Sequence, residues 1–227
     1  MRPDREGNAL DYEQLVEAFY ASILRPGDVA VDCGAHTGRH TAPMQRLVGP
    51  GGHVHAFEPL PTVFATLEQS CGDAANVSLY NLALGTEAGT QPFVFVPDFP
   101  EYSGFKERVY HAEGLRRDTI SVEVRRLDAV IPTTGIRYIK VDAEGGDLLI
   151  LRGAERILAD SRPYVTFEFG DNSVRHYDHN AADCFDFFAA RNYVIADILG
   201  VPLDRAGFIE SSAAQRVWDY VASPATA

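Results

Sequence analysis

The sequence predicts an α/β fold in which helices cover both faces of a mostly parallel, doubly wound sheet. Three observations support this prediction. Short apolar segments alternate along the chain with segments of helical periodicity. The first apolar segment is followed at once by a glycine-rich turn and a helix, which is the opening of a nucleotide-binding unit. The 227 residues, of which 46% are hydrophobic and 23% charged, suffice for one large domain with a single core.

A leading helix is predicted before the sheet begins. Apolar side chains recur at helical spacing over residues 10–24, and a Pro-Gly pair ends the pattern. Residues 1–27 are therefore expected to form a leading helix that packs on a domain of residues 28–227.

The elements of that domain follow in chain order. The predicted parallel strands cover residues 28–32, 53–57, 77–81, 138–142 and 164–168, and the predicted helices cover 39–48, 62–70 and 147–159. Two later strand candidates, 193–199 and 217–222, are joined by a polar link without helical pattern. This arrangement predicts an antiparallel closing pair at the edge of the sheet.

A long interruption separates two further strand candidates, residues 93–96 and 119–124. Residues 97–118 show little periodicity, and structureless loops beyond about 12–15 residues are usually functional or disordered. Because this segment is rich in aromatic residues, we expect it to be an insertion that covers the substrate. A plain surface excursion is the alternative. The aromatic and histidine side chains concerned are Phe99, Tyr102, Phe105, Tyr110 and His111.

The charge and cysteine content disfavour several classes of partner. The formal net charge is −12, and basic residues cluster only at Arg116-Arg117 and Arg125-Arg126. We therefore expect a small-molecule partner, with no nucleic acid and no membrane. Three widely spaced cysteines without zinc-ligand spacing indicate a reducing compartment, and no apolar run approaches the roughly 18 residues of a membrane span. A cytoplasmic location is expected, and a homodimer is compatible with these features.

The turn after the first strand indicates the class of cofactor. Its sequence, Asp32-Cys33-Gly34-Ala35-His36-Thr37-Gly38, has G-x-x-x-G spacing and lacks the middle glycine of the G-x-G-x-x-G dinucleotide turn. A carboxylate before the turn disfavours a diphosphate but suits the sulfonium and amino end of S-adenosylmethionine. Glu58, after the second strand, is placed to accept hydrogen bonds from two ribose hydroxyls in either cofactor class. A turn that only packs strand on helix is the structural alternative.

Carboxylates also follow other predicted strands. Asp32, Glu58, Asp142 and Glu168 each stand at a strand end. In an open parallel sheet, ligands bind outside the carboxyl ends of the strands, where the strand order reverses. The four side chains are therefore expected to share one site.

Six sequence blocks carry a resemblance to a known family. They are residues 26–38 (PGDVAVDCGAHTG), 56–59 (AFEP), 81–85 (NLALG), 126–128 (RLD), 139–145 (IKVDAEG) and 151–154 (LRGA). In this order and spacing they resemble the FkbM-type S-adenosylmethionine-dependent methyltransferases, from about residue 25 to the last strand. The resemblance implies a class I methyltransferase fold of seven strands with the last antiparallel, S-adenosylmethionine as cofactor, and O-methylation of sugars and other natural products. The cofactor contacts expected on this basis are Asp32, Gly34, Ala35, His36, Thr37, Gly38, Glu58, Pro59, Asn81, Ala83 and Asp142.

Three acidic residues are candidates for the chemistry. Methyl transfer from a sulfonium requires the acceptor oxygen to be positioned and its proton removed. Asp142 and Glu144 lie two positions apart after the fourth main strand, and Glu168 would be their lateral neighbour. We expect them to supply a general base or to hydrogen-bond the substrate. A magnesium ion, which we do not expect, and helix N-capping are the alternatives. His111, in the insertion, is a further candidate base.

The expected function is S-adenosylmethionine-dependent O-methylation of a small hydroxylated acceptor. His176 and His179, after the fifth strand, are additional candidate bases because histidine titrates near neutral pH. An NAD-dependent oxidoreductase on the same sheet and a non-catalytic cofactor-binding module are the alternative functions.

Overall fold

The computed structural model describes residues 2–3, 9–108, 114–131 and 134–225. None of the helices in these ranges is both long and apolar enough to cross a membrane. A 3-10 turn covers Pro100–Tyr102. The helices are α1 (Tyr12–Ile23), α2 (Thr41–Val48), α3 (Pro61–Cys71), α4 (Leu127–Val130), α5 (Asp147–Arg152), α6 (Glu155–Asp160), α7 (Asp171–Val174), α8 (Ala181–Ala189) and α9 (Arg205–Ala214).

Within the described residues, the strands form one large sheet and two small ones. They are β1 (Arg2–Pro3), β2 (Ala9–Leu10), β3 (Val29–Cys33), β4 (His53–Phe57), β5 (Val77–Tyr80), β6 (Ala83–Leu84), β7 (Gly89–Phe95), β8 (Asp118–Arg125), β9 (Ile136–Val141), β10 (Tyr164–Glu168), β11 (Tyr193–Asp197), β12 (Pro202–Leu203) and β13 (Asp219–Pro224).

The large sheet has the strand order β12-β11-β13-β10-β9-β3-β4-β5. The pairs from β10 through β9, β3 and β4 to β5 are parallel, whereas β13 is antiparallel to both of its neighbours. The prediction of a mostly parallel sheet of seven strands with an antiparallel last strand is confirmed. The two-residue strand β12 extends it by an eighth strand.

The predicted antiparallel closing pair is confirmed, because β11 and β13 pair at the end of the sheet where only the two-residue β12 lies beyond them. The predicted link without a helix is wrong. The link before β13 contains the helix α9, which begins where the Asp204 side chain accepts a hydrogen bond from the backbone of Gly207. Phe208 is the large buried apolar side chain of α9, and the other buried positions are Ser211 and Ser212. A helix with so few apolar residues shows little hydrophobic periodicity in its sequence.

Successive side chains of β3 point to opposite faces of the sheet, and helices cover both faces. Val31 and Cys33 pack into the main core with side chains of α4 to α6, α8 and α9. Ala30, on the opposite face, packs with Tyr20 of α1 and Met44 of α2. The leading helix α1 is thus seated on the sheet by its buried side chains and takes a fixed place above β3 and β9.

Strands β7 and β8 form an antiparallel hairpin outside the large sheet, and β6 adds to it in parallel. The two strand candidates on either side of the long interruption are therefore strands, but of a separate small sheet. Its apolar face, with Phe93, Val122 and Val124, packs against Leu60 and Val63 after β4. This contact holds residues 97–108, which leave β7, over the carboxyl ends of the main strands.

The predicted helix 147–159 is divided into α5 and α6. Asp128 explains where the second helix begins, because its carboxylate accepts hydrogen bonds from the backbone N–H groups of Arg156 and Ile157 at 2.9 and 3.0 Å. These are first-turn donors that have no partner within their own helix. A side chain distant in sequence thus restarts the helix after the break.

Gly34 lies where the chain leaves β3 and approaches the end of β9. Its φ is +82°, and a Cβ atom there would lie 1.9 Å from the carbonyl oxygen of Asp142. We expect Gly34→Ala to lower the free energy of unfolding by roughly 2–5 kcal/mol, from backbone strain and overpacking together. Gly27→Ala is the matched control, because Gly27 has φ +96° with nothing within 4 Å of the added Cβ, and should cost about 1–2 kcal/mol. Urea unfolding of both variants measures the difference, and equal losses would contradict the crowding.

Candidate functional site

The strand order reverses at β3. The chain continues from β3 to β4 on one side of it and later adds β9 on the other side. Backbone hydrogen bonds join the turn after β3 to the ends of both β4 and β9. The backbone N–H groups of Gly34 and Ala35 donate to the carbonyl oxygen of Phe57 at 3.0 and 2.9 Å, and the N–H of Asp142 donates to Cys33 at 3.0 Å. This switch point is where an open parallel sheet binds its ligand.

A cavity of about 300 Å³ opens beside this turn, and we call it the glycine-turn cavity. Three segments that follow successive strands supply one part of its wall: residues 34–36 after β3, 57–60 after β4, and 82–84 at β6. The last two segments are largely apolar. The remaining wall carries charged side chains from α1, from the turn before α2 and from the end of β9. The cavity thus has an apolar part and a charged part.

Glu58 is the buried acidic residue of the apolar part. One carboxylate oxygen accepts a hydrogen bond from the backbone of His36 at 3.0 Å, and the other accepts one from Leu60 at 2.8 Å. Burial nevertheless raises the pKa of Glu58 to about 7. Each oxygen of a carboxylate has a further lone pair, so Glu58 retains the capacity to accept two more hydrogen bonds.

A second cavity, of about 420 Å³, lies next to the first, and we call it the acidic cavity. Its wall includes the carboxylates Asp142, Glu168 and Asp219 and the aromatic side chains Tyr12, Tyr102 and Trp218. The two cavities share four lining residues. These are Glu13, His40, Lys140 and Asp142.

Lys140 is the cation at the junction of the cavities. Its side chain is 7% exposed, and its Nζ atom lies 3.0 Å from Asp142 and 3.9 Å from Asp32. Burial lowers the pKa of Lys140, but the two carboxylates outweigh burial and raise it above its ordinary value. Lys140 is not among the residues predicted for the site, although a charged residue inside an otherwise apolar strand is a sequence signal for one.

Asp147 fixes the geometry of the loop between β9 and α5, residues 142–146, which we call the acidic loop. Asp147 is also absent from the residues predicted for the site. Its side chain is 1% exposed and accepts hydrogen bonds from the backbone of Ala143 at 3.3 Å and of Glu168 at 3.2 Å. It therefore joins the ends of β9 and β10. Burial, with the nearby charge of Asp142, raises the pKa of Asp147 to about 7.

The structure brings Asp142, Glu144 and Glu168 together, with one oxygen of each within 4.8 Å of the others. Burial and the carboxylates of Asp142 and Asp219 raise the pKa of Glu168 well above its ordinary value. Asp219 lies directly opposite Glu168 in the register of β10 and β13, and burial raises its pKa as well. Three oxygen ligands at this spacing suit a hard divalent cation.

Arg108, from the long insertion, supplies a positive charge to this group. Its guanidinium forms an ion pair with Glu144 and lies 5.2 Å from the ring centroid of Tyr102. The side chain is 7% exposed, which is rare for an arginine unless it is paired. Arg108 is a site residue that the sequence pattern does not single out, because nothing in an aperiodic loop indicates which residue faces the sheet.

The predicted cofactor contacts fall into two groups. Asp32, Thr37, Gly38 and Asn81 lie outside the linings of both cavities. Asp32 is fully buried beneath the turn and accepts a hydrogen bond from the hydroxyl of Thr41 at 2.7 Å. Asn81 donates to the carbonyl oxygens of Glu58 and Pro59 and so supports the wall from behind. The predicted contacts that line the glycine-turn cavity are Gly34, Ala35, His36, Glu58, Pro59, Ala83 and Asp142.

The two candidate histidine bases that the structure describes, His176 and His179, do not lie at the site. His111, like Tyr110, lies outside the described residues. His176 is exposed, and neither it nor His179 lines the cavities. His179 is buried and its ring nitrogen Nε2 is bonded to the carbonyl oxygen of Gly145 at 3.2 Å. It supports the acidic loop from the far side.

The chain is similar to methyltransferases in sequence and structure. The methyltransferase FkbM domain model matches residues 32–195. The 31-O-demethyl-FK506 methyltransferase FkbM of Streptomyces tacrolimicus is 30% identical over 162 residues, which are 58% of this chain and 61% of that protein. The chain spans about three fifths of the length of the curated relatives it matches.

Solved structures share the fold. Methyltransferase FkbM from Methylobacillus flagellatus KT has a TM-score of 0.52 at 19% identity, covering 94% of this chain and 55% of that one. An rRNA methylase from Streptococcus thermophilus has a TM-score of 0.52 at 13% identity, covering 97% of this chain and 100% of that one. The fold is therefore the class I methyltransferase fold that the sequence predicts.

Removing the side chain of Asp147 should loosen the acidic loop. Asp147→Ala removes the acceptor of two half-buried backbone N–H groups, so we expect a loss of roughly 1–3 kcal/mol in the free energy of unfolding. Asp160→Ala, at an exposed position at the end of α6, is the control and should change stability by less than about 0.5 kcal/mol. Urea unfolding measures both, and similar small effects would show that Asp147 does not hold the loop.

Proposed function

Because this chain belongs to the FkbM methyltransferase domain family, we propose that it transfers the methyl group of S-adenosylmethionine to a hydroxyl group of a small acceptor. The observation that carries the proposal is the pair of adjoining cavities. One has the wall expected for the cofactor, the other has carboxylates suited to a hydroxylated acceptor, and they meet at four shared residues.

The residues of the glycine-turn cavity fit S-adenosylmethionine. Phe57, Leu82 and Leu84 offer an apolar surface to an adenine ring, and Glu58 offers acceptors to the ribose hydroxyls. Because Gly34 has no side chain, the turn packs directly against the carbonyl oxygen of Asp142, which also lines this cavity. When bound, the cofactor supplies an electrophilic methyl group whose leaving thioether needs no general acid.

The acidic cavity would hold the acceptor and take its proton. Its carboxylates accept hydrogen bonds from hydroxyl groups, and its aromatic side chains can stack on the apolar faces of a sugar ring or a related scaffold. Among the predicted catalytic residues, Asp142 is bound to Lys140 and Glu144 to Arg108. Glu168 is therefore our candidate general base, since its raised pKa brings its proton affinity closer to that required near neutral pH. Asp142 and Glu144 would position the acceptor.

The first part of the insertion, residues 97–108, is proposed to cover both ligands. Pro100, Ser103 and Phe105 line the glycine-turn cavity, whereas Tyr102 and Arg108 line the acidic cavity. The sequence predicts a cover for the substrate alone. The positions of these side chains support a broader role, in which one segment excludes water from cofactor and acceptor together.

Two observations indicate the class of acceptor. One relative is named as a 31-O-demethyl-FK506 methyltransferase, and the acidic cavity offers carboxylates that can accept hydrogen bonds from hydroxyl groups. We propose a sugar moiety or another hydroxylated natural product. The formal charge of −12 supports the prediction that nucleic acid is not the acceptor. Metal-independent chemistry, a cytoplasmic location and a homodimer stay predictions.

Methyl transfer is tested with labelled S-adenosylmethionine and a panel of sugars and hydroxylated natural products. We expect labelled product from the unaltered protein and a rate roughly 100- to 10,000-fold lower for Glu168→Gln, because the general base is lost. Glu210→Gln, an exposed change on α9, is the control and should keep the full rate.

The same assay tests the metal alternative and the base assignment. Chelator should leave the rate unchanged, whereas a rate restored only by magnesium would assign the acidic trio to a cation. The rate should rise with pH and reach its plateau at a higher pH than an ordinary carboxyl base would give, because Glu168 must be ionised to accept a proton. Full activity of Glu168→Gln would exclude Glu168 as the base.

Cofactor affinity should depend on pH through Glu58. Its raised pKa, about 7, means that the carboxyl becomes protonated as pH falls below 7, whereas ribose hydroxyls bind best to the ionised form. Calorimetry from pH 8 to pH 5 should show affinity falling by up to about tenfold per unit below pH 7. Glu58→Gln should bind weakly at every pH, and Glu68→Gln, exposed on α3, should behave as the unaltered protein. A pH dependence that survives Glu58→Gln would assign the effect to another group.

A further inference from the structure

The leading helix α1 contributes one carboxylate to the wall of both cavities, that of Glu13. This helix precedes the segment 32–195 that the family model matches. We propose that Glu13 binds the α-ammonium group of the methionyl part of S-adenosylmethionine. The proposal rests on the proposed function and adds a cofactor contact from outside the matched domain.

The fold holds Glu13 firmly in place. Asp11 caps α1, so Glu13 lies in the first turn, and Val16 and Tyr20 anchor the helix in the core. An oxygen of Glu13 lies 2.6 Å from Nε2 of His40. The other ring nitrogen of His40 lies 3.2 Å from the hydroxyl of Tyr20.

This chain of hydrogen bonds orients the carboxylate towards the cavities. An ionised carboxylate can only accept, so Nε2 of His40 must donate to Glu13. His40 is 4% exposed and Tyr20 is fully buried, which leaves the ring little freedom to turn away. The Glu13 side chain itself is 55% exposed and remains open to a ligand.

Glu13 is suited to binding a cation and unsuited to accepting a proton. The hydrogen bond from His40, with smaller contributions from Lys140 and Arg39, outweighs burial and lowers the pKa of Glu13 to about 2. The carboxylate is thus charged at any pH at which the protein works. A base with so low a pKa takes protons poorly, whereas a permanent negative charge matches an ammonium group.

Two cations on this wall are paired with carboxylates other than Glu13. Lys140 is paired with Asp142, and Arg39 is paired with Glu17 at 2.6 Å. Among the described residues, the ion-pair contact of Glu13 is with His40. The amino-acid end of the cofactor carries one ammonium and one carboxylate group. Glu13 and Arg39, whose side chain is 43% exposed, offer the two opposite charges that such an end needs.

Comparing the binding of two nucleosides distinguishes the contact to the ammonium group from the other contacts of the site. S-adenosylhomocysteine has the amino-acid end, and 5′-methylthioadenosine has the same adenosine and thioether but no amino-acid end. Calorimetry on Glu13→Gln should show roughly 10- to 100-fold weaker binding of S-adenosylhomocysteine, from loss of a charged hydrogen bond, and unchanged binding of 5′-methylthioadenosine. Glu13→Asp, which keeps the charge, should recover part of the loss.

Other outcomes would contradict the proposal. Equal weakening of both nucleosides, or no weakening of either, would overturn the role of Glu13. Glu101, an exposed acidic residue of the insertion on the same wall, is the competing carboxylate. Selective loss of S-adenosylhomocysteine in Glu101→Gln, with Glu13→Gln unaffected, would move the contact there. If the unaltered protein bound neither nucleoside, the proposed function itself would fail, and this inference with it.

Discussion

Gly34 lies so close to the carbonyl oxygen of Asp142 that no side chain fits between the turn after β3 and the end of β9. This contact brings together two segments more than 100 residues apart in the chain. The backbone hydrogen bond from Asp142 to Cys33 and those from Gly34 and Ala35 to Phe57 complete the joint. The glycine-turn cavity opens beside this joint and Asp142 lines both cavities, so the place where the two cavities meet depends on this close packing.

A second constraint is the concentration of negative charge at the same edge of the sheet. Burial, together with the neighbouring charge of Asp142, raises the pKa of Asp147, of Glu168 and of Asp219. Lys140 compensates part of this charge from within the sheet. Carboxylates with raised pKa values, Glu168 and Asp219, therefore line the acidic cavity. A raised pKa is what a carboxylate needs in order to accept the proton of a hydroxyl group.

Much of the fold could be predicted because its elements have strong local patterns. The buried parallel strands are apolar runs, and α1 has clear helical periodicity that anchors it through Val16 and Tyr20. The helix α9 could not be predicted in this way, since two of its three buried positions are serines. The interior place of β13 was equally hidden, because the order of strands in a sheet depends on pairing between distant segments.

The sequence by itself determined the class of fold, the family and the types of side chain at the strand ends. A glycine-rich turn together with several carboxylates at the ends of successive strands is typical of a ligand site, whereas a single turn residue is not. Only the tertiary structure decided which of them meet. It placed Asp32 and Asn81 behind the walls, brought Arg108 from an aperiodic loop onto Glu144, and added Glu13 from the leading helix. The physical reason is that a contact between distant segments depends on how whole elements pack, and no local pattern records that packing.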